Sequence, residues 1–237
     1  MLREYQTEII QKIRSSLASG NQAPLVASPT GSGKTTIFCS IAHGAAAKRN
    51  RVIILTHRRE ILQQTVKTLH RFGISAGQII TGRPMTADLV QVASVQTLVR
   101  RLALVKRPDL IITDEAHHTT VNSQWGKIHS YWSTVPNLGF SATPARLDGK
   151  GLGDCYDDLI HGPTLRWLVE QGWLAMPVLY RPPEEVTGDY HITRGDFDTK
   201  EQQAVMSGKK IVGDVIAHYR HHLDGQPVIV SCVSVEH

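Results

Sequence analysis

Apolar residues recur along this chain in two alternating rhythms. Tyr5, Ile9, Ile10, Ile13 and Leu17 fall at helical spacing and predict an amphipathic helix over residues 3–19, stopped by Gly20 and Asn21. Leu25, Val26 and Ala27 then form a short unbroken apolar run, read as a buried strand. The helical period returns with Ile37, Phe38, Ile41, Ala42 and Ala45. Residues 51–56 are a β-branched run expected of a strand covered on both faces, and Ile61, Leu62, Thr65, Val66 and Leu69 mark the next helix. The same alternation continues with strands at 78–81 and 90–93, a helix at 97–104, a strand at 109–113, a helix at 123–132 and a strand at 137–141. Strands alternating with helices predict an α/β fold with a doubly wound, mainly parallel sheet that binds ligands outside the carboxyl ends of its strands.

Beyond Pro144 the pattern thins. Residues 147–162 are rich in glycine and aspartate and carry no clear period, so no element is predicted there. A helix is predicted at 165–174, residues 182–198 are polar and irregular, and 211–223 followed by 227–233 reads as helix then strand. The expected division is a first domain over 1–180, a linker over 181–207 and the beginning of a second domain over 208–237.

Charge sharpens this division. Residues 1–146 hold 18 Lys and Arg against 7 Asp and Glu, whereas 147–237 hold 8 against 14. A first domain this basic points to a polyanion such as nucleic acid as partner. No stretch approaches 18 uninterrupted apolar residues, so no membrane partner is expected. Cys39, Cys155 and Cys232 lie far apart without metal or redox spacing, which suits reduced thiols and a cytoplasmic location.

Two stretches carry chemistry. Between the first short strand and its helix lie Thr30, Gly31, Ser32, Gly33, Lys34, Thr35 and Thr36. Glycines there let backbone N–H groups turn toward phosphate oxygens, and the helix N-terminus adds partial positive charge. Lys34 suits the β- and γ-phosphates of a nucleotide and the Thr35 hydroxyl suits Mg²⁺; the strict pattern has glycine at position 28, where this chain has Ser28. The second stretch closes the strand at 109–113 with Asp114 and Glu115. Asp114 is expected to hold Mg²⁺, and Glu115 to take the proton from an attacking water.

Together these motifs resemble the superfamily 2 helicases, the DEAD/DEAH-box group. Residues 28–35 look like motif I, Asp114-Glu115-Ala116-His117 like motif II, and Ser141-Ala142-Thr143 like motif III. Leu2-Arg3-Glu4-Tyr5-Gln6 resembles the glutamine motif, which implies that Arg3 and Gln6 meet the nucleotide, Gln6 through the adenine edge. Residues 56–62 resemble motif Ia, and Thr81-Gly82 and residues 94–97 resemble the two short motifs after it. That likeness places Arg59, Thr81, Gly82, Gln96 and Thr97 on the strand-binding face. His117 is implied in the catalytic set with Lys34, Asp114 and Glu115, and Ser141 and Thr143 in coupling. Residues 228–237 are similar to motif IV, which opens a second RecA-like domain, and motifs V and VI would fall beyond His237. Asp114 to His118 with residues 139–146 most resemble the branch holding radiation-repair, type III restriction and phage helicases.

The resemblance implies an ATP-dependent helicase or translocase using ATP and Mg²⁺ on nucleic acid, DNA before RNA. Two other readings stay open: a P-loop ATPase acting on a non-nucleic-acid substrate, and a nucleic-acid-binding module with a vestigial ATPase. His218, His221 and His222 have helical metal-ligand spacing but lack a fourth ligand. Trp125, Trp132, Trp167 and Trp173 are expected in cores before base-stacking platforms.

Overall fold

A computed structural model describes residues 2–146, 149–178, 191–193, 196–197, 201 and 215–229. The chain divides into two compact units, Met1–Met176 and Pro177–His237. The first opens with α1 (Glu4–Ala18) and β1 (Pro24–Ala27), then α2 (Lys34–Ala47), β2 (Val52–Thr56), α3 (Arg59–Arg71), β3 (Ala76–Ile79), β4 (Val90–Ser94) and α4 (Val95–Leu98). It continues with β5 (Leu110–Asp114), α5 (Gln124–Tyr131), β6 (Asn137–Ser141), β7 (Asp158–His161) and α6 (Leu165–Glu170). The seven strands form one sheet in the order β3-β4-β2-β5-β6-β1-β7, with every pairing parallel.

Burial on both faces explains the unbroken apolar runs. In β2, Val52 and Ile54 point into the core beneath α1, α2 and α3, while Ile53 and Leu55 point into a second core with Val95, Leu98, Ile128 and Trp132. In β5, Ile112 and Ile111 divide in the same way. Each face takes every second residue of a strand, so covering both faces selects apolar residues throughout.

The structure departs from the sequence pattern in several places. β7 lies within the aspartate-rich stretch where no strand is predicted, and it pairs with β1 at the sheet edge. Distant segments hold its acidic start: Asp158 Oδ2 accepts from Ser16 Oγ at 2.5 Å, and the carboxylate of Asp157 just before it accepts from the backbone N–H groups of Gln22 and Ala23. Predicted helix 97–104 is instead α4 followed by a 3₁₀ turn at Leu102–Leu104, and α6 ends at Glu170 before Gly172, whose φ of +70° turns the chain.

In the second unit, Ile192–Thr193 (β8) pairs antiparallel with Asp196–Phe197 (β9), and Val215–Leu223 (α7) is helical. Most of 181–207 and of the stretch resembling motif IV lie outside the described residues. On α7 the rings of His218 and His222 stack 6.1 Å apart.

A polar knot crosses the second core. His129 Nε2 lies 3.1 Å from Thr113 Oγ1, which donates to Asn137 Oδ1 at 2.8 Å. Burial lowers the His129 pKa to about 4. Between the ordinary value near 6.5 and about 4, the unfolded chain takes up a proton that the folded chain refuses. The contribution of His129 is therefore full above about pH 6.5 and falls by roughly 1–3 kcal/mol as pH drops toward 4, against an opposite contribution from Asp114, whose pKa is raised to about 6. The difference in urea stability between the parent and His129→Gln should follow this fall. A difference that does not change with pH would place the acid lability elsewhere.

Candidate active site

All the parallel strands end at one edge, and the candidate residues gather there. After β1 the backbone N–H of Ser28 donates to the Ser141 carbonyl at 3.0 Å, which ties the loop to the end of β6. Gly31 and Gly33 then take φ of +81° and +80°, a region that favours glycine. A side chain on Gly33 would also meet Gln6 Nε2 at 2.5 Å. Ser28 is accommodated where the strict motif has glycine because its hydroxyl turns inward, donating to Ser32 Oγ at 2.8 Å. Lys34 starts α2 and folds back into the loop, with Nζ donating to the carbonyls of Ser28 (3.0 Å) and Pro29 (3.3 Å). Burial lowers its pKa, against the opposing pull of Glu115 and Asp114. The ammonium is thus held in the cradle by two neutral acceptors. Thr35 and Thr36 stand half-buried in the same first turn, and Thr30 is exposed at the loop tip.

The start of α1 braces the loop. Tyr5 Oη donates to the Ser32 carbonyl at 2.8 Å, and Gln6 Nε2 donates to the same oxygen at 3.1 Å. Gln6 Oε1 accepts the backbone N–H of Arg3 at 3.0 Å, and Gln6 is 3 % exposed. Each end of its amide makes one protein hydrogen bond, leaving one donor hydrogen and one acceptor lone pair for another group. Arg3 reaches Tyr5 Oη with one guanidinium nitrogen and lies 4.3 Å from the centre of the Trp173 ring.

Asp114 closes β5, two strands from β1 in the sheet. It is 7 % exposed, and burial together with the Glu115 charge raises its pKa to about 6; the Glu115 N–H and Lys34 pull the other way. Ionised, this carboxylate is short of positive charge. Glu115 has φ of +52°, a strained value for a residue with a side chain. His117 Nδ1 lies 3.0 Å from Ser141 Oγ and 3.4 Å from Glu115 Oε2. Ser141 Oγ in turn donates to the Thr143 carbonyl at 2.6 Å, so the ends of β5 and β6 are linked through side chains.

The remaining candidates occupy the other half of the edge. Arg59 opens α3 just past β2 and is exposed. Thr81 and Gly82 follow β3 and are exposed; Thr81 Oγ1 lies 3.2 Å from Oγ1 of Thr97, which is buried in α4. Gln96 is exposed, and its Nε2 approaches the His57 carbonyl at 3.5 Å. The strand order therefore sorts the residues: β5, β6 and β1 carry the phosphate-type groups, and β3, β4 and β2 carry the basic and amide groups.

Between the halves lies a ladder of rings. His117 and His118 are 4.2 Å apart between centroids, His118 and His57 4.8 Å, and His118 and Trp125 5.7 Å. Burial first, then neighbouring positive groups, lowers the pKa of both His57 and His118. The sequence assigns the side chains of His57 and Tyr5 no role of their own within the motifs that hold them, because their contacts join distant segments. Trp167 and Trp173 are 37 % and 43 % exposed and so stand outside the expected cores.

A profile of the family described as type III restriction enzyme, res subunit, matches residues 1–146. A 51.5 kDa protein of a Lactococcus phage (isolate 7-9) is 34 % identical over 212 residues, covering 90 % of this chain and 44 % of its own length. A Saccharomyces cerevisiae protein, provisionally named as the ATP-dependent helicase IRC3, is 29 % identical over 242 residues, covering 93 % of this chain and 35 % of its own. The chain thus spans less than half of either relative. Among solved structures, a nuclease-deletion mutant of the type ISP restriction-modification enzyme LlaGI with a DNA substrate mimic superposes with a TM-score of 0.57. That match is at 17 % identity over 73 % of this chain and 21 % of that one.

Proposed function

We propose, from the premise that the chain belongs to the type III restriction enzyme res-subunit family within the superfamily 2 helicases, that it is the nucleotide-binding part of an ATP-driven DNA translocase or helicase. The observation that carries this reading is the convergence of two motifs at one edge: the loop that holds Lys34 is tied by the Ser28 N–H to the Ser141 carbonyl at the end of β6, and Asp114 pairs with Phe140 of the same strand. The first domain is taken as 1–180, followed by a linker over 181–207 and the beginning of a second RecA-like domain.

Mg²⁺ fits the oxygen donors offered by the Thr35 hydroxyl and the Asp114 carboxylate, and a buried carboxylate short of positive charge suits a hard cation. Bound with ATP, the ion would neutralise charge on the β- and γ-phosphate oxygens. The protein groups do the rest. Lys34 exchanges its two carbonyl partners for phosphate oxygens, and the inward-turned glycine loop cradles the chain of phosphates. Glu115 accepts the proton as a water oxygen bonds to the γ-phosphorus and the bond to the ADP oxygen breaks. His117, touching both Glu115 and Ser141, reports the state of that step to Thr143.

This reading puts DNA across the ends of β3, β4 and β2, where Arg58, Arg59, Thr81, Gly82 and Gln96 are exposed and the buried Thr97 supports Thr81 from behind. The choice of DNA is supported by the restriction-enzyme family and by the DNA substrate mimic in the LlaGI complex. Binding to single-stranded DNA should weaken steeply with salt, by a log–log slope of about −0.7 for each phosphate neutralised. Arg58→Ala with Arg59→Ala should weaken binding and flatten the slope by about 1.4. Affinity indifferent to salt, or unchanged in the double variant, would remove DNA from this face.

A further inference from the structure

The short segment after α6 touches both ends of the proposed nucleotide site. Gly172 turns the chain with φ of +70°, and the N–H groups of Trp173 and Leu174 both donate to the Leu168 carbonyl, at 2.8 and 3.1 Å. Leu168 is fully buried, so the segment is anchored to the core while its side chains reach the edge. Leu174 lies over the phosphate loop: a Cβ on Gly31 would stand 2.7 Å from Leu174 Cδ2. Trp173 lies against Arg3, with the guanidinium carbon 4.3 Å from the ring centre. Arg3 bonds to Tyr5 Oη, and Tyr5 shares the Ser32 carbonyl with Gln6. An exposed aromatic face, a cation stacked on it and a half-satisfied amide therefore meet at one end of the loop, with Lys34 toward the other.

We infer that Trp173 is the surface on which the nucleobase stacks, the base entering where Arg3 now covers the indole. This rests on the nucleotide reading above. Trp173 is 43 % exposed with Arg3 over its ring, so the aromatic face is reachable once the guanidinium lifts. A purine offers a flat π-face to the indole and a second face to the guanidinium, and its edge can take the remaining hydrogen and lone pair of the Gln6 amide. Trp167 is not the platform, because its ring is already engaged edge-on with Tyr5 at 5.7 Å.

The test is titration of the chain with MgATP and, separately, with magnesium tripolyphosphate, which has phosphates but no base. ATP should change tryptophan emission in the parent. That change should vanish in Trp173→Phe, whose ATP affinity should stay within about threefold. Trp173→Ala should weaken ATP about tenfold, as loss of a stacked base does, and leave tripolyphosphate unchanged. Unchanged ATP affinity in Trp173→Ala, or equal weakening of ATP and tripolyphosphate, would overturn the assignment while leaving the phosphate site intact. Failure of the parent to bind either ligand would overturn both this inference and the nucleotide reading.

Discussion

Glu115→Gln should leave MgATP affinity within about threefold of the parent and lower turnover by about 10²–10⁴, the range a positioned general base supplies. Glutamine keeps the length and shape of the side chain, so the backbone at φ of +52° has no new clash to relieve. What is lost is the acceptance of a proton, together with the charge that faces His117 Nδ1 at 3.4 Å. A residue whose role was only to hold the turn would tolerate the exchange. Equilibrium binding of a fluorescent nucleotide, paired with single-turnover hydrolysis in the same protein, separates the two effects. Hydrolysis at the parent rate would remove Glu115 from the role of base.

Lys34→Ala should do the reverse, weakening MgATP by about 100-fold or more before chemistry begins. Hydrogen bonds to charged groups contribute about 1.5–3 kcal/mol each, and the ammonium is placed to make more than one to a phosphate. The folded protein itself should not suffer. Burial of the Lys34 amine carries a desolvation penalty that lowers its pKa, so its removal relieves a cost in the nucleotide-free chain. Thermal unfolding of the free protein should therefore be unchanged or slightly raised while nucleotide protection is lost. Parent-like affinity in the variant would show that the loop does not cradle phosphates through this lysine.

The two-faced sheet was legible because its central strands are buried on both sides. The runs at Ile53 and Ile54 and at Ile111 and Ile112 admit little other than apolar residues. The phosphate loop was legible for a related reason, since positive φ at Gly31 and Gly33 restricts what can stand there. β7 was hidden because an edge strand needs few apolar side chains. Only Ile160 of its residues is buried, and its aspartate answers to Ser16, 142 residues away in sequence. Strand order was equally beyond a local pattern, since β1 lies between β6 and β7, its partners from far along the chain. Within the site, Asp114 and Lys34 announce themselves by type and position. The bracing of Ser32 by Tyr5 and Gln6, and the meeting of His57 with His118, come only from the fold.

That strand order also gives the site its logic. The proposed nucleotide residues follow β1, β6 and β5, the proposed DNA residues follow β2, β4 and β3, and β5 and β2 are neighbours. The rings of His117, His118 and His57 cross that one boundary. Two ligands bound on either side of it should influence each other's affinity, and by linkage equally in both directions.

Calorimetric titration of the chain with MgATP, alone and with saturating single-stranded DNA, tests the account most directly. It predicts one nucleotide per chain, an affinity that rises when DNA is bound, and loss of both signals in Lys34→Ala. A chain that binds DNA but gives no nucleotide heat, or binds MgATP equally well without Lys34, would contradict it.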